Sequence, residues 1–476
     1  MLTECNARTF QFHGLFGREV VARFDGGRVT SDGGGLLLRE VNDRFGFMDR
    51  FARCFTDHRD AEAIEHPLAD LLKQRIFGLC LGYEDLIDHD TLRHDPLLAV
   101  LVGKADPEGA ERKNPRDRGK ALAGKSTLNR LELTPVGADA ASRYKKITAN
   151  LHAVQQFFVE AFLLQHAAPP ERIVLDFDAT DDPVHGDQLG KFFNGYYDEY
   201  CFLPLYCFCG DHPLLALLRP ADIDGAAGAI KQLERIVTRI RQAWPTVRIV
   251  VRGDSGFCRE RLMTWCEAHG VDFLFGLPKN ARLLRALGKE LHEAKLEFER
   301  TGQAARVFKD FTYRTQKSWS RERRVIGKAE HLANGSNPRF IVTSLSAAEF
   351  DARTLYEQEY CARGDMENRI KEQQLGLFAD RTSCETLRAN QLRLAFSTVA
   401  YVVLRALREF GLAETPLAAA QADTIRLKLL KIGAVIRVTV RKVWIALSES
   451  YPWQELFAAV YARLTSWRAP PQPAPT

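Results

Sequence analysis

The chain has 476 residues, of which 46% are hydrophobic and 27% charged, and its formal net charge is +5. This near-average composition excludes a disordered, collagen-like or disulfide-scaffold protein, and the length predicts several domains. No apolar run reaches the roughly eighteen residues of a membrane span, and residues 1–8 lack the apolar core of a signal peptide, so we expect a cytoplasmic protein.

The N-terminal region, 1–168, is predicted to be mostly helical, because apolar residues recur every three or four positions through much of it. A polar loop at 106–119 interrupts this pattern before a helix begins near Ser126. Residues 119–126 (GKALAGKS) match the P-loop pattern, but the preceding residues 111–118 are too charged to form the apolar strand that a P-loop follows. A P-loop ATPase acting on DNA is therefore kept only as an alternative function.

Short apolar runs replace the helical pattern after Pro170. They predict strands at 173–178, 204–209, 213–219, 247–252 and 272–275, and helices at 230–244 and 260–269. This order, β-β-β-α-β-α-β, predicts a three-stranded meander continued by right-handed crossovers, which is the order of a ribonuclease H-like sheet. We therefore expect an α/β fold, with the first part of a ribonuclease H-like core at 169–280.

The remaining segments predict an insertion and a return to this core. Residues 281–348 combine a helix with three short strands and are predicted to form a basic α+β insertion domain. A long helix at 354–373 and an apolar helix at 391–408 would complete the core within 349–410. Residues 411–468 are predicted to form a small basic C-terminal region, and residues 469–476 (APPQPAPT) a disordered tail.

Basic residues are concentrated in three segments, although the net charge is small. Residues 112–130 contain seven Lys or Arg against one acid, 306–328 contain eight against two, and 423–442 contain six against one. Such clusters are typical of a protein that binds nucleic-acid phosphates in several places. Candidate contacts are Lys125 and Arg130 in the first segment, and Arg323 and Arg324 in the second.

Carboxylates lie at the ends of two strands that are neighbours in the predicted sheet. Asp176 and Asp178 share one face of the first strand, and Asp254 follows the fourth. Asp178 and Asp254 would thus lie side by side, where their charges repel unless a cation intervenes. Carboxylate oxygens suit Mg²⁺, or Mn²⁺ in its place, and two ions about 4 Å apart can activate an attacking oxygen and stabilise a leaving oxygen on phosphorus.

The long helix at 354–373 supplies a third carboxylate. Tyr360, Arg363, Glu367 and Lys371 follow one another at three-, four- and four-residue intervals, so one helix face presents all four. Glu367 would complete the metal site, while Tyr360, Arg363 and Lys371 would hold phosphates around it. The alternative is a surface row of ion pairs, because Arg363, Glu367 and Lys371 also have i, i+4 spacing.

Taken in order, these motifs resemble the bacterial cut-and-paste DDE transposases, and most closely the insertion-sequence-1380 family. The resemblance covers nearly the whole chain. Besides the Tyr360 helix, it is carried by residues 57–60 (DHRD), 66–75 (HPLADLLKQR), 81–85 (LGYED), 126–132 (STLNRLE), 175–180 (LDFDAT), His185, Gly186 and Gln188, 252–257 (RGDSGF), 323–325 (RRV) and 429–434 (LLKIGA).

The resemblance also assigns the acids. The first aspartate of these transposases is usually followed two residues later by Thr, which selects Asp178 over Asp176, the alternative first acid. The second and third acids then match Asp254 and Glu367. A lysine of the wider group's signature is replaced here by Gln374, and we carry its role to Lys371.

The resemblance implies binding to the terminal inverted repeats of an insertion sequence, Mg²⁺-dependent cleavage of the ends and their joining to target DNA. It implies double-stranded DNA as the partner, a homodimer that holds two ends, and a place in the nucleoid. In a related group an aromatic residue of the insertion domain stacks on a flipped base, and Trp319 is the candidate here. A DNA-binding derivative that has lost catalysis stays open as an alternative, although all three acids are present.

Overall fold

The computed structural model describes residues 9–184 and 186–466, which divide into two compact units. Residues up to 149 and from 406 onward form one unit, and residues 150–405 form the other. The division falls at 149 rather than at the expected 168, because the helix Leu151–Leu164 packs on the strand His212–Leu217 within the second unit. The predicted tail at 469–476 and the motif residue His185 lie outside the described residues.

A nine-stranded mixed sheet forms the centre of the unit 150–405. Numbered β1 to β9 in chain order, its strands are Arg172–Ala179, Leu205–Cys209, His212–Leu217, Arg248–Gly253, Asp272–Leu277, Ala305–Tyr313, Arg323–Leu332, Gly335–Ser336 and Arg339–Thr343. Their spatial order is β3-β2-β1-β4-β5-β9-β7-β6, with β8 paired to β7. β1, β2 and β3 are antiparallel neighbours, whereas β4 runs parallel to both β1 and β5. The predicted neighbours β1 and β4 therefore lie side by side.

Helices and a small second sheet complete this unit. The helices are Leu151–Leu164, Ala229–Ala243, Glu260–Ala268, Ala281–Ala286, Gly288–Thr301, Ala352–Thr354, Gly364–Lys371 and Leu387–Ala406. The small sheet contains Asp182–Pro183, Phe192–Asn194 and Glu199–Phe202. Leu233, Ile236 and Ile240, spaced three and four residues apart on one helix, are fully buried with Leu175 and Val251 of the large sheet, so this helix covers β1 and β4.

Residues 281–348 continue the large sheet instead of standing apart from it. β9 pairs with the edge of β5, and β7 and β6 follow outward, all antiparallel. Val325 and Val342 from this extension share one buried hydrophobic cluster with Phe273 and Phe275 of β5. The segment therefore shares the hydrophobic core of the strands that precede it.

Residues 352–376 form a helical segment, here named the Glu367 helix, whose winding changes along its length. Two wide π-helical turns, Leu355–Tyr360 and Glu372–Gly376, flank the α-helix Gly364–Lys371, and the 3₁₀ turn Cys361–Arg363 lies between. Wide turns inside helices often occur at functional sites, where they change the direction in which side chains point.

The unit formed by the two ends of the described chain is mostly helical. Its helices are Leu36–Phe45, Phe47–Ala52, Leu68–Cys80, His89–Leu92, Pro96–Val102, Lys125–Glu132, Ala422–Ile425 and Gln454–Ser466. Its strands pair as Thr9–Leu15 with Arg18–Arg23, Phe55–Asp57 with Ile147–Ala149, and Ala434–Val438 with both Arg28–Thr30 and Val443–Leu447. Within residues 9–184 and 186–466, no helix has both the length and the apolar character to cross a membrane.

A run of three glycines lies where the N-terminal and C-terminal segments of this unit contact each other. The N–H of Gly33 donates a 2.8 Å hydrogen bond to the carbonyl of Ile432, and Lys431 Nζ lies 2.6 Å from Asp32 Oδ1. A Cβ placed on Gly34 would lie 1.9 Å from the carbonyl oxygen of Leu429. The glycines at 33–35 therefore allow two backbone segments to approach more closely than any side chain would permit.

We expect Gly34→Ala to lower the free energy of unfolding by about 2 kcal/mol, because the backbone at Leu429 must move to admit the methyl group. Gly433→Ala is the matched control, since a Cβ there meets no atom within 4 Å. Urea denaturation followed by circular dichroism measures both. Equal stability of the two variants would contradict the close approach.

Candidate active site

Two aspartates lie side by side where β1 and β4 end. Phe177 of β1 pairs with Gly253 of β4; Asp178 is the next residue of β1, and Asp254 directly follows the end of β4. The N–H of Ala179 donates a 3.0 Å hydrogen bond to Asp178 Oδ1. Asp254 Oδ1 accepts a 2.9 Å hydrogen bond from the N–H of Gly256. Local backbone contacts therefore orient both carboxylates.

The Glu367 helix brings a positive charge to these acids. Arg363 Nη2 donates a 2.8 Å hydrogen bond to Glu367 Oε1, and Arg363 Nη1 lies 3.6 Å from Asp178 Oδ2. Asp254 also lies close enough to raise the pKa of Arg363 electrostatically. The guanidinium thus contacts Asp178 and Glu367, and the negative charge of Asp254 acts on it from a greater distance.

The ionisation of Asp178 reflects this crowding. The pKa of its carboxyl is raised to about 7, chiefly by burial; Arg363 acts to lower this pKa, and the negative charges of Asp254 and Glu367 act to raise it. Burial removes the water that would stabilise a carboxylate, and neighbouring negative charges have the same effect. The site therefore favours an additional positive charge, either a proton or a cation.

Within residues 9–184 and 186–466, no three acidic, histidine or cysteine side chains are grouped closely enough to hold a metal ion. Asp178, Asp254 and Glu367 therefore do not form the single cluster that the sequence predicts, and Arg363 pairs with two of them, Asp178 and Glu367. Their donor chemistry fits a divalent ion nonetheless, because carboxylate oxygens are the ligands that Mg²⁺ takes and the guanidinium already shows that a cation is favourable at this position.

Asp176, the alternative first acid, has a different environment. Arg252 on β4 donates from Nε to Asp176 Oδ1 at 2.5 Å and from Nη2 to Asp176 Oδ2 at 2.8 Å. The carboxylate is buried, and both of its oxygens are used. Arg252 also donates to the carbonyl of Glu359, which fastens the Glu367 helix to the sheet. These contacts give Asp176 a structural role and favour Asp178 as the acid at the site.

Tyr360 approaches Asp254 across a glycine that the sequence interpretation missed. A Cβ on Gly276 in β5 would lie 2.6 Å from the Tyr360 hydroxyl and 2.8 Å from the backbone N of Ser255. The negative charge of Asp254 acts on the tyrosine, whose pKa is raised chiefly by burial. The available signal was a glycine inside an apolar strand, which often marks a close backbone approach.

Comparison with known families decides which group the chain belongs to. A family model described as "Transposase DDE domain group 1" matches residues 12–469. The chain belongs to this family. No curated protein matches it. The resemblance to DDE transposases is thereby confirmed, and DDE transposase domains generally use divalent metal ions and imply DNA as a partner.

The two candidates for the lysine position in this DDE transposase differ in their contacts. Lys371 is exposed, and no ion pair or hydrogen bond joins its side chain to another described residue. Gln374 donates a 3.2 Å hydrogen bond from Nε2 to the carbonyl of Asp181, just beyond β1. Gln374 therefore fastens the Glu367 helix to the sheet, while phosphate binding by Lys371 stays a prediction.

The expectation for Trp319 is corrected by its packing. Its ring is 5% exposed and lies edge-on to Tyr313, with the ring centroids 5.7 Å apart. The guanidinium of Arg323 lies 5.4 Å from the centre of the same ring. A ring enclosed in this way is not presented to a base, so Trp319 stabilises the loop between β6 and β7.

The expectation for Arg323 and Arg324 is corrected as well, because carboxylates already neutralise both. Arg323 lies 2.6 Å from Glu260 and 2.7 Å from Glu267. Arg324 lies 2.6 Å from Asp310 and donates to two backbone carbonyls. These arginines connect β7 to neighbouring elements and are not free to bind phosphates.

Lys125 and Arg130 both lie on the helix Lys125–Glu132 and are exposed. Residues 103–124, all of them described, contain no strand, so the element that must precede a P-loop is missing. The N–H of Lys125 donates a 3.0 Å hydrogen bond to Asp90 Oδ1, which places a carboxylate where a P-loop would bind a phosphate. This geometry contradicts the alternative of a P-loop ATPase.

We expect Arg252→Met to lower the free energy of unfolding by about 3 kcal/mol, because it leaves the Asp176 carboxylate buried without its partner. Arg259→Met is the matched control: Arg259 lies 2.8 Å from Asp224, but these side chains are 46% and 50% exposed. The control is expected to lose less than about 1 kcal/mol. Urea denaturation at neutral pH measures both, and similar losses would refute the role of Asp176.

Asp178 should also make stability depend on pH in metal-free protein. Its folded pKa of about 7 exceeds its ordinary value of 3.8, so between these pH values the folded state retains a proton that the unfolded state has released. The free energy of unfolding contributed by this group therefore falls as pH rises through this interval. Asp178→Asn cannot ionise, so its stability relative to the parent should increase between about pH 4 and pH 8.

Urea denaturation at both pH values, with a metal chelator present, tests this pH dependence. Asp365→Asn serves as the control, because Asp365 is exposed on the Glu367 helix. Its stability relative to the parent should be the same at both pH values. If the relative stability of Asp178→Asn were also the same at both pH values, the carboxyl of Asp178 in the parent protein could not have a raised pKa.

Proposed function

We propose that this protein is an insertion-sequence transposase that binds the terminal inverted repeats of its element, cleaves the ends by metal-dependent phosphodiester hydrolysis and joins them to target DNA. The observation that carries the proposal is that Asp178 and Asp254 lie at adjacent strand ends while Arg363 pairs with both Asp178 and Glu367, in a chain of the DDE transposase family. These carboxylates come from two neighbouring strands and one covering helix.

The proposal extends to the class of fold and the subfamily. The order β3-β2-β1-β4-β5, with β1 to β3 antiparallel and β4 and β5 parallel to β1, supports a ribonuclease H-like core. The order of the motifs along the sequence supports the insertion-sequence-1380 family within the DDE group. Both assignments lead to the same prediction for the site, a set of carboxylates at the ends of β1 and β4.

Asp178, Asp254 and Glu367 are proposed to hold Mg²⁺ or Mn²⁺, with two ions expected. When bound, such ions activate the attacking oxygen and stabilise the leaving oxygen during phosphodiester cleavage. Arg363 pairs with Asp178 and Glu367, and once these acids hold a cation its planar paired donors would be released to bind a DNA phosphate. Tyr360 and Lys371 lie on the same helix and would orient the DNA backbone.

The proposed partner is double-stranded DNA, both as the transposon ends and as the target. Joining two ends to one target requires that both be held together, so we propose a homodimer on DNA acting in the nucleoid. The remaining alternative is a DNA-binding derivative without catalysis. The presence of all three acids favours the enzyme, and a cleavage assay separates the two.

The decisive experiment incubates the purified protein with the terminal DNA of its own element and Mg²⁺. We expect Asp254→Asn and Glu367→Gln each to lower the cleavage rate at least about 100-fold, while DNA affinity changes little, because they remove predicted metal ligands. Asp365→Asn, two residues before Glu367 and exposed, is the matched control and should cleave normally.

Two outcomes would overturn this assignment. Cleavage by Glu367→Gln at the rate of the control would remove Glu367 from the site. Binding of terminal DNA by the unaltered protein without cleavage, in both Mg²⁺ and Mn²⁺, would favour the inactive derivative. Gel-shift measurements on the same duplex separate loss of catalysis from loss of binding.

A further inference from the structure

A cavity of about 440 Å³ lies beside the helix Lys125–Glu132, in the unit that contains the chain ends. Lys125, Arg130 and Lys145 bring three positive charges to its wall, and Ser126 and Asn129 add hydrogen-bonding groups. Leu86 and Tyr144 supply the apolar part. The described residues that line the cavity include no aspartate or glutamate, so the lining carries a net positive charge.

Two of these positive charges are not neutralised by other residues of the described chain. Arg130 and Lys145 form no ion pair there, and the guanidinium of Arg130 lies 5.3 Å from the centre of the Tyr144 ring. Lys125 lies 3.4 Å from Asp90 Oδ2, and its ammonium is therefore partly compensated. Because like charges placed together repel one another, an anion between Arg130 and Lys145 would be stabilised.

Tyr144 provides a second, independent indication of what the cavity binds. Its side chain is 55% exposed although it is large and aromatic, and guanidinium groups lie near its ring at 5.3 Å for Arg130 and 4.8 Å for Arg143. An exposed aromatic ring among basic side chains is the arrangement with which proteins stack a base and bind its phosphate. A simple anion would use only the cations, and an apolar ligand only Tyr144 and Leu86.

We propose that this cavity binds a nucleotide, with the base against Tyr144 and Leu86 and the phosphate between Arg130 and Lys145. Its volume lies within the range of about 300–1,000 Å³ typical of small-molecule sites. Side chains would hold the phosphate, since Asp90 already accepts the helix N-terminal N–H of Lys125. The nucleotide could belong to an unpaired position of a DNA strand or be a free nucleoside phosphate, because both present the same chemistry.

The test measures binding to the full chain without divalent metal, so its result is independent of cleavage at the carboxylate site. The probes are a fluorescein-labelled single-stranded oligonucleotide and fluorescently labelled ATP, both followed by fluorescence anisotropy. We expect Tyr144→Ala and Arg130→Gln each to weaken binding of at least one probe by about tenfold. All variants are first checked by thermal unfolding.

Two controls match these substitutions. Tyr461→Ala removes a tyrosine that is 52% exposed in the same unit. Arg53→Gln removes an exposed arginine of the same unit that lies outside both the basic segments and the cavity wall. Each control should change binding of either probe by less than about twofold, because neither group contacts the ligand.

The pattern of losses identifies the source of the nucleotide. Weaker binding of the oligonucleotide alone would identify the ligand as an unpaired DNA nucleotide. Weaker binding of ATP alone would identify it as a free nucleoside phosphate. Weaker binding of both would show that either can enter the cavity. If Tyr144→Ala and Arg130→Gln bind both probes as the controls do, the proposal is overturned.

The position of the base is tested with an oligonucleotide containing 2-aminopurine, whose emission falls when it stacks on an aromatic ring. Quenching should persist in Tyr144→Phe, which keeps the ring, and disappear in Tyr144→Ala. Equal quenching in Tyr144→Ala and in the unaltered protein would refute stacking on Tyr144.

Discussion

The negative charge at the ends of β1 and β4 must be offset by positive charge, and this requirement connects the sheet to the helix that covers it. Arg252 satisfies it for Asp176 and also binds the carbonyl of Glu359. Arg363 satisfies it for Asp178 and holds Glu367 in the same interaction. The arginine contacts that hold the helix against the sheet therefore also place Glu367 on the guanidinium that faces Asp178. A stable fold and a site that favours cations follow from one electrostatic constraint.

The motifs of the N-terminal region have a different physical role. Arg75, from one motif segment, lies 2.8 Å from Glu132 of another, and both side chains are 2% exposed. Tyr83, from a third segment, donates a 2.7 Å hydrogen bond to Asp32 beside the glycine turn. The buried pair of Arg75 and Glu132 tolerates little change, because removing either partner leaves an uncompensated charge. Several motif residues of this unit therefore make internal contacts, and only the exposed residues there are available to bind a ligand.

Local sequence patterns predicted β1 to β5 to within a few residues, because apolar runs bounded by proline, glycine and charged residues identify strands. They also predicted that Asp178 and Asp254 are neighbours, since parallel strands end at the same edge of a sheet. The pairing of β9 with β5 was not predictable in this way, because the local sequence of a short strand does not specify which strand it pairs with. The ion pair between Asp176 and Arg252 depends on the register of β1 against β4, and the approach of Tyr360 to Gly276 depends on how the helix docks. Both contacts depend on tertiary packing, which local sequence patterns do not specify.

Clusters of basic residues show the same limit most clearly. Six of the eight basic residues in 306–328 pair with carboxylates, several of which come from distant parts of the sequence. From the sequence this segment is predicted to bind phosphates, yet most of its basic side chains form ion pairs within the folded protein. Arg130 and Lys145, by contrast, have no carboxylate partner in the described chain and lie around one cavity with Tyr144. The number of positive charges in a segment thus indicates little about ligand binding until their partners are known, and it is the unpaired ones that an anionic ligand can reach.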